Sequence, residues 1–437
     1  MTRTTSEKKF EVAIIGGGIS GLTLGIALHH RGIPTSIYEQ AGEFAEIGAG
    51  VSFRENAIQA MKHCHPGVYE AFEKVRVGNL LPDKQDVWFD FHDGYHDKPS
   101  NETFAFTIRT KLGQAGVHRA HYLNELVRLF PRERSHFGKR LEGFEEENGR
   151  WKMRFVDGSS AFADAIIGCD GIKSKVRALM FGETHACARP TYTHRYAYRG
   201  LIDMEDAVKA VGEEKAKTAC MHMGPGAHLL SFPVNAGKTL NIVAFKHEES
   251  NWPDPERLVR RGTRSSALRD FQSYNQDVVS LLSLCAPDLD VWGIFHLADH
   301  PVPSFCKTTL CLLGDAAHAT SPHHGAGAGF CIEDAAVLSD LLADTRVQTR
   351  EQIEAAFQTF DDVRRERGQW LPRSSQHIGN CYEWIAEGVG EDFEKIEREI
   401  NARNSMIGDV DVEGMCRDAK EHLAARLGLG SVVVNGR

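Results

Sequence analysis

The ten cysteines of this 437-residue chain, at 64, 169, 187, 220, 285, 306, 311, 331, 381 and 416, include no C-x-x-C pair. Such scatter excludes a disulfide framework and a zinc ribbon and fits a reducing compartment, so the cytoplasm is the expected location. No H-E-x-x-H and no clustered Cys/His pattern occurs, and no metal is expected. Long runs of one charge are missing too. With 51 Lys+Arg against 60 Asp+Glu and a net charge of −9, there is no basic stripe to track phosphates, which argues against nucleic acid as partner. The longest apolar stretch, 12–28, is interrupted by Gly16, Gly17, Gly18, Ser20, Gly21, Thr23 and Gly25, and is too broken for a bilayer span. Lys8 and Lys9 precede it, but no small-residue cleavage site follows, so a secretory signal is not expected. Internal repeats and low-complexity segments are also lacking. What remains, 25% charged and 42% hydrophobic, is an ordinary globular composition with length for two to three structural units.

The interrupted stretch has its own logic. Residues 11–15 form a short apolar run suited to a buried parallel strand, and Gly16, Gly18 and Gly21 follow as G-x-G-x-x-G. Leu22 to Arg31 reads as a helix stopped by Gly32, and Thr35 to Tyr38 as a second strand ending in Glu39. Gly16 permits the tight turn, Gly18 lets a pyrophosphate approach the backbone, and Gly21 lets helix pack on strand. The helix N-terminus offers free N–H groups to phosphates, and Glu39 is placed to accept from ribose hydroxyls. A packing turn without ligand is the plain alternative. NAD and FAD both use this fingerprint, so the choice between them rests on the rest of the chain.

Two further strand-to-turn motifs follow. Ile166 to Gly168 leads into Cys169-Asp170-Gly171, and Thr309 to Leu313 leads into Gly314-Asp315. A carboxylate at the C-terminal end of such a strand faces the ligand crevice of an open α/β sheet. Pro322 to Gly329 is a glycine-rich loop without fixed charge that enters a helix. A helix N-terminus entered through such small residues can stabilise negative charge through backbone N–H groups alone. The three motifs, in this order over about 320 residues, resemble those of the single-component FAD-dependent aromatic hydroxylases typified by 4-hydroxybenzoate hydroxylase. Within that class the chain is most similar to salicylate hydroxylase, through Glu46 to Phe53, Val117 to Ala120, Ala197 to Gly200 and Leu230 to Val234. Fungal dearomatising phenol hydroxylases of polyketide pathways resemble it over nearly the same span.

The resemblance implies an α/β fold with a Rossmann-like FAD-binding domain of the 4-hydroxybenzoate hydroxylase type (1–185 and 291–375). It further implies an inserted mixed or antiparallel β-sheet substrate domain (186–290) and a C-terminal helical segment (376–437). It implies FAD, with NADH or NADPH and O2 as co-substrates. Hydroxylation of a small phenolic substrate would proceed through a flavin C4a-hydroperoxide, and the protein would be a monomer or homodimer. Glu39 would hold the adenosine ribose, Arg119 would lie near the flavin phosphates or ribityl chain, and the loop around Gly50 and Ser52 would back the ring system. Asp170 belongs to the second cofactor motif, Asp315 would bond the ribityl hydroxyls, and Ala328 beside Gly327 would offer its backbone to the flavin.

Between about 186 and 300 the pattern alternates with period two. Arg195, Ala197 and Arg199 share one face of a strand; His228, Leu230, Phe232 and Val234 share a face of another. A phenolate is the better nucleophile towards an electrophilic oxygen, so the pocket must bind the ring, favour its ionised form and exclude water. Arg199, permanently charged and bidentate, is the first candidate to counter a phenolate or neighbouring carboxylate, against a surface ion pair. His228 and His323 are candidates to accept the phenolic proton, against a purely structural role. Phe232 is a pocket wall or plain core. The dearomatising relatives typically carry tyrosine at this position and salicylate hydroxylases phenylalanine, which favours an aromatic acid with the hydroxyl entering at the carboxylate-bearing carbon; a polyketide-derived resorcinol is the alternative. The halogenase W-x-W-x-I-P signature and the redox cysteine pair of disulfide reductases are absent. Helices are expected over Glu351 to Arg367, Asp392 to Asn401 and Glu413 to Leu427, and a loosely ordered tail from Gly428.

Overall fold

The computed structural model describes residues 8–44 and 50–428. The Glu46 to Ala49 part of the salicylate-hydroxylase-like segment, and the tail beyond Gly428, lie outside those residues. Val12–Ile15 is wholly buried and occupies the centre of a six-stranded sheet. Ala165–Gly168 pairs with it in parallel on one side and Thr35–Tyr38 on the other. Leu310–Leu312 adds a further parallel strand beside Ala165–Gly168, and the short strands Cys306–Lys307 and Ser135–His136 close the two edges. This register sets the ends of three neighbouring strands side by side, and each is followed by one of the three glycine-bearing turns. Ligand crevices of open α/β sheets form at that place.

The second layer is an eight-stranded sheet in the order Val259–Thr263, Asp288–His296, Thr191–Asp203, Thr239–His247, Ala227–Val234, Cys220–Gly224, Val87–Asp93 and Phe104–Arg109. Neighbours run antiparallel except Cys220–Gly224 with Val87–Asp93. The sheet therefore reaches beyond residues 186–290. Two strands come from within 1–185, and Asp288–His296 crosses the boundary at 290. Val87–Asp93 is buried at every position.

A helix of 33 residues, Arg350–Tyr382, spans the two layers. It opens on a capping box formed by Thr349 and Gln352 and contains Pro372. The apolar spacing predicts only its first half. The helix continues because Gly368 lets it lie against His318 and Phe305, and Gly379 against His323. It thereby crosses the 375/376 boundary drawn from sequence. Phe393–Gly408 and Val412–Arg426 complete the chain where helices are expected. Among the described residues no helix is long and apolar enough to cross a membrane.

Candidate active site

The first turn closes only because its glycines lack side chains. Gly16 has φ +103, and a Cβ there would lie 2.4 Å from the Cys169 carbonyl oxygen; one on Gly21 would lie 2.0 Å from the Gly16 carbonyl oxygen. The helix Ile19–His30 begins at Gly18 with no side-chain cap and no acid in its first turn, which leaves its N–H groups for an anion. The Glu39 carboxylate accepts from the backbone N–H of Gly17 (2.7 Å) and of Ala41 (2.8 Å), fixing the acid beside the glycine turn. A cradle of backbone donors with a carboxylate at its rim fits the pyrophosphate and ribose of FAD.

The second and third turns are braced by Asp170 itself and by residues that sequence reasoning did not single out. Asp170 spends its carboxylate on the start of the helix Lys175–Phe181, accepting from the N–H groups of Lys175 (2.7 Å) and Val176 (3.1 Å) and from the Ser174 hydroxyl. Arg177, fully buried, donates to the carbonyls of Ile172, Cys187, Ala188 and Ala316, and so ties the Asp170 turn to the Asp315 turn. Behind Gly314 lies a buried charge network. Asp334 accepts from the Gly314 N–H (3.1 Å), from His318 (2.6 Å) and from Arg364 Nε (2.7 Å), while Arg364 also donates to Glu333 (2.6 Å). The signal for it was an acidic pair, Glu333-Asp334, inside a mostly apolar helix. Asp315 opens the short helix Asp315–His318 at the cleft. Gly327 and Ala328, both half-buried, open the helix Gly327–Ala343, which again has neither side-chain cap nor acid in its first turn.

The wall expected to back the flavin is a small sheet, in which Gly50–Ser52 pairs with Gly116–His118. Arg119 follows at the start of the helix Arg119–Val127, and the Ser52 hydroxyl lies 3.3 Å from the Gln114 carboxamide oxygen. A Cβ on Gly50 would lie 2.6 Å from Phe232 Cζ, so the large sheet meets this wall at Phe232.

Strand register gathers the expected substrate residues on one face. Arg199 stands beside Val243 and Asp290, Ala197 beside Phe245 and Trp292, His228 beside Phe245, and Leu230 beside Val243. The opposite face carries Tyr196 and Tyr198, whose hydroxyls both donate to Asp270. The Arg199 guanidinium lies 4.5 Å from the Trp292 ring centroid, and its Nε has no hydrogen-bond partner. Burial and the nearby Arg119 charge lower its pKa to about 10, so it stays cationic at neutral pH.

His228 is fully buried, stacked on Phe245 at 4.6 Å, with Nδ1 3.3 Å from Glu383 Oε1. The contact is close enough for an ion pair, but its angle falls short of a good hydrogen bond, and Nε2 is unpartnered. The His323 ring is 5.3 Å from that of His228; its Nδ1 bonds Ser321 Oγ (2.9 Å) and its Nε2 is unpartnered. Burial pushes both imidazoles below their ordinary pKa, with Glu383 opposing at His228. Glu383 is itself paired with Arg195 Nε (2.8 Å). His228, His323 and Glu383 come within metal-ligand reach of one another, as do His63, Asp340 and Cys416. Sequence spacing could not show either group, because the members are far apart along the chain. In each, a cation already neutralises the carboxylate: Arg195 at Glu383, and Arg31 and Lys420 at Asp340. That favours ion pairing over metal binding.

A family model described as an FAD binding domain matches residues 9–373. The FAD-dependent monooxygenase orf3 of Aspergillus niger is 42% identical, over 97% of this chain and 98% of its own. Salicylate hydroxylase asL1 of Sarocladium schorii is 37% identical, over 96% and 92%. A solved salicylate hydroxylase substrate complex superimposes with a TM-score of 0.84 at 29% identity, covering 95% of this chain and 98% of that one. The chain thus belongs to the FAD-dependent monooxygenases built on this FAD-binding domain.

Proposed function

We propose that the protein is an NAD(P)H- and FAD-dependent monooxygenase that hydroxylates a phenolic aromatic acid in the manner of salicylate hydroxylase, in the cytoplasm. The observation that carries this is the meeting of Phe232 with Gly50. The substrate face of the large sheet abuts the wall expected to back the flavin, with Arg199 on the same face. Bound FAD supplies electron transfer from NAD(P)H and the activation of O2.

The chain's own residues do the rest. Phe232, Leu230 and Val243 form an apolar surface that keeps water from the reacting ring. Arg199 counters the negative charge of the phenolate or its neighbouring carboxylate, with no acid among the described residues hydrogen-bonded to it in competition. His228 and His323, neutral because burial disfavours their charged forms, are able to take the phenolic proton. Glu383 beside His228 Nδ1 favours the tautomer protonated there, which leaves Nε2 as the acceptor.

Purified holoenzyme given salicylate should consume NAD(P)H and release catechol and CO2. Peroxide alone from salicylate, with a dearomatised product from an acyl-substituted resorcinol, would instead assign the dearomatising reaction.

A further inference from the structure

Four arginines are buried among the described residues, and three have their charge answered. Arg195 is paired with Glu383, Arg364 with Glu333 and Asp334, and Arg177 is ringed by backbone carbonyls. Arg54 is the exception. It is 2% exposed, lies 3.9 Å from the centroid of the Trp88 ring, and donates from Nη2 to the Asn404 carboxamide oxygen (3.1 Å). Among the described residues its Nε has no partner, and no carboxylate lies within ion-pair distance.

Two other orphaned donors accompany it: the Tyr382 hydroxyl, electrostatically coupled to Arg54, and Asn404 Nδ2. Both are buried at the atom, and neither has a partner. Three buried donors without an acceptor, one of them on a charged group, are strongly unfavourable because burial removes water without replacing its hydrogen bonds. The surroundings suit an aromatic anion. Trp88 and Tyr382 belong to the same apolar cluster as Phe232, and the Tyr382 ring packs edge-on against His228 at 5.5 Å. Arg54 stands two residues past the strand Gly50–Ser52 that Phe232 touches.

We propose that Arg54, with Tyr382 and Asn404, anchors the carboxylate of the aromatic acid, leaving Arg199 to the phenolic oxygen. The inference rests on the phenolic-acid reading above and assigns its two negative groups to separate cations. An anchor of this kind acts on binding, not on the flavin. It also predicts the reverse of a structural role, because an unanswered buried charge destabilises the ligand-free protein.

The test compares salicylate with phenol, which lacks the carboxylate, on FAD-loaded wild type, Arg54→Met and Tyr382→Phe. In wild type, salicylate should bind more tightly than phenol. Arg54→Met should raise the salicylate Kd by about 10- to 100-fold, the scale of a lost hydrogen bond to a charged group, and leave phenol within about twofold. Its melting temperature without ligand should equal or exceed that of wild type. Tyr382→Phe, which removes one buried oxygen, should shift the salicylate-to-phenol ratio in the same direction by a smaller factor, and it carries the test should Arg54→Met fail to fold. An unchanged ratio in both variants overturns the anchor. So does a wild type that binds the two ligands equally while phenol stimulates NAD(P)H oxidation, which would leave the monooxygenase reading standing. A wild type stimulated by neither overturns the substrate reading itself.

Discussion

Substituting Gly50 by alanine tests whether the large sheet and the cofactor wall act as one site. The three atoms nearest a Cβ at that position all belong to the Phe232 ring, at 2.6, 2.9 and 3.9 Å. Ordinary contact begins near 3.4 Å, so the ring tip must retreat by about 1 Å. Overpacking of this kind costs about 1–3 kcal/mol, which corresponds to about 5- to 150-fold if it is exerted on the productive complex. The assay is kcat/KM for salicylate-stimulated NAD(P)H oxidation, with FAD affinity and melting temperature measured alongside. In a Phe232→Leu background the methyl group meets no ring, and Gly50→Ala should then change kcat/KM by less than about twofold. Coupling above about 1 kcal/mol between the two substitutions is the expected outcome. Equal losses in both backgrounds would refute the argument, because the effect of the methyl group would then not pass through Phe232.

Arg199→Ala should retain bound flavin and lower kcat/KM by about 10- to 150-fold, the value of a charge-assisted hydrogen bond, with KM and flavin absorbance separating substrate loss from cofactor loss. Arg364→Met leaves Glu333 and Asp334 buried, with Glu333 still held by Arg367, and should destabilise the fold by about 3–5 kcal/mol in denaturant titrations. Glu333, Asp334, Asp340 and Glu383 are all held below the ordinary carboxylate range by adjacent cations, although burial by itself would raise them. Their stabilisation is therefore full above the unfolded carboxylate pKa of about 4 and fades as acid approaches the lower folded values. Unfolding free energy should start to fall once the pH drops below about 6.5, as the unfolded chain protonates histidines that burial keeps neutral in the fold, such as His228 and His323, and should fall more steeply below about 4; a profile flat down to about pH 5 would contradict this.

The opening unit was legible because its chemistry is local: strand, glycines, helix and Glu39 lie within 28 residues, and each requirement acts on its neighbours. The face shared by Arg199 and Ala197, and that shared by His228, Leu230 and Phe232, were legible for the same reason, since period two fixes them within a strand. Glu383 was not. Its partners Arg195 and His228 lie 188 and about 155 residues away, and nothing in its own surroundings marks a buried acid. Arg54 was invisible likewise, because its significance is the lack of a carboxylate in three dimensions. The place of Val87–Asp93 in the large sheet was not legible because it joins by pairing with Cys220–Gly224, about 130 residues away. The helix Arg350–Tyr382 was underestimated because its second half is held by tertiary contacts at Gly368 and Gly379, which local apolar spacing does not encode.

That helix also sets a limit on how the protein can vary. About 50 Å long, it acts as a gauge rod. Arg364 near its middle sets the Gly314 turn, Gly368 and Gly379 meet His318 and His323, and Glu383 just past its end grips Arg195. Adding one residue between Gly368 and Gly379 would turn everything beyond it by about 100° and advance it by about 1.5 Å, withdrawing Glu383 from both partners at once. Kin with differently shaped cargo should therefore differ in sheet side chains and surface loops, while the spacing along this rod stays the same.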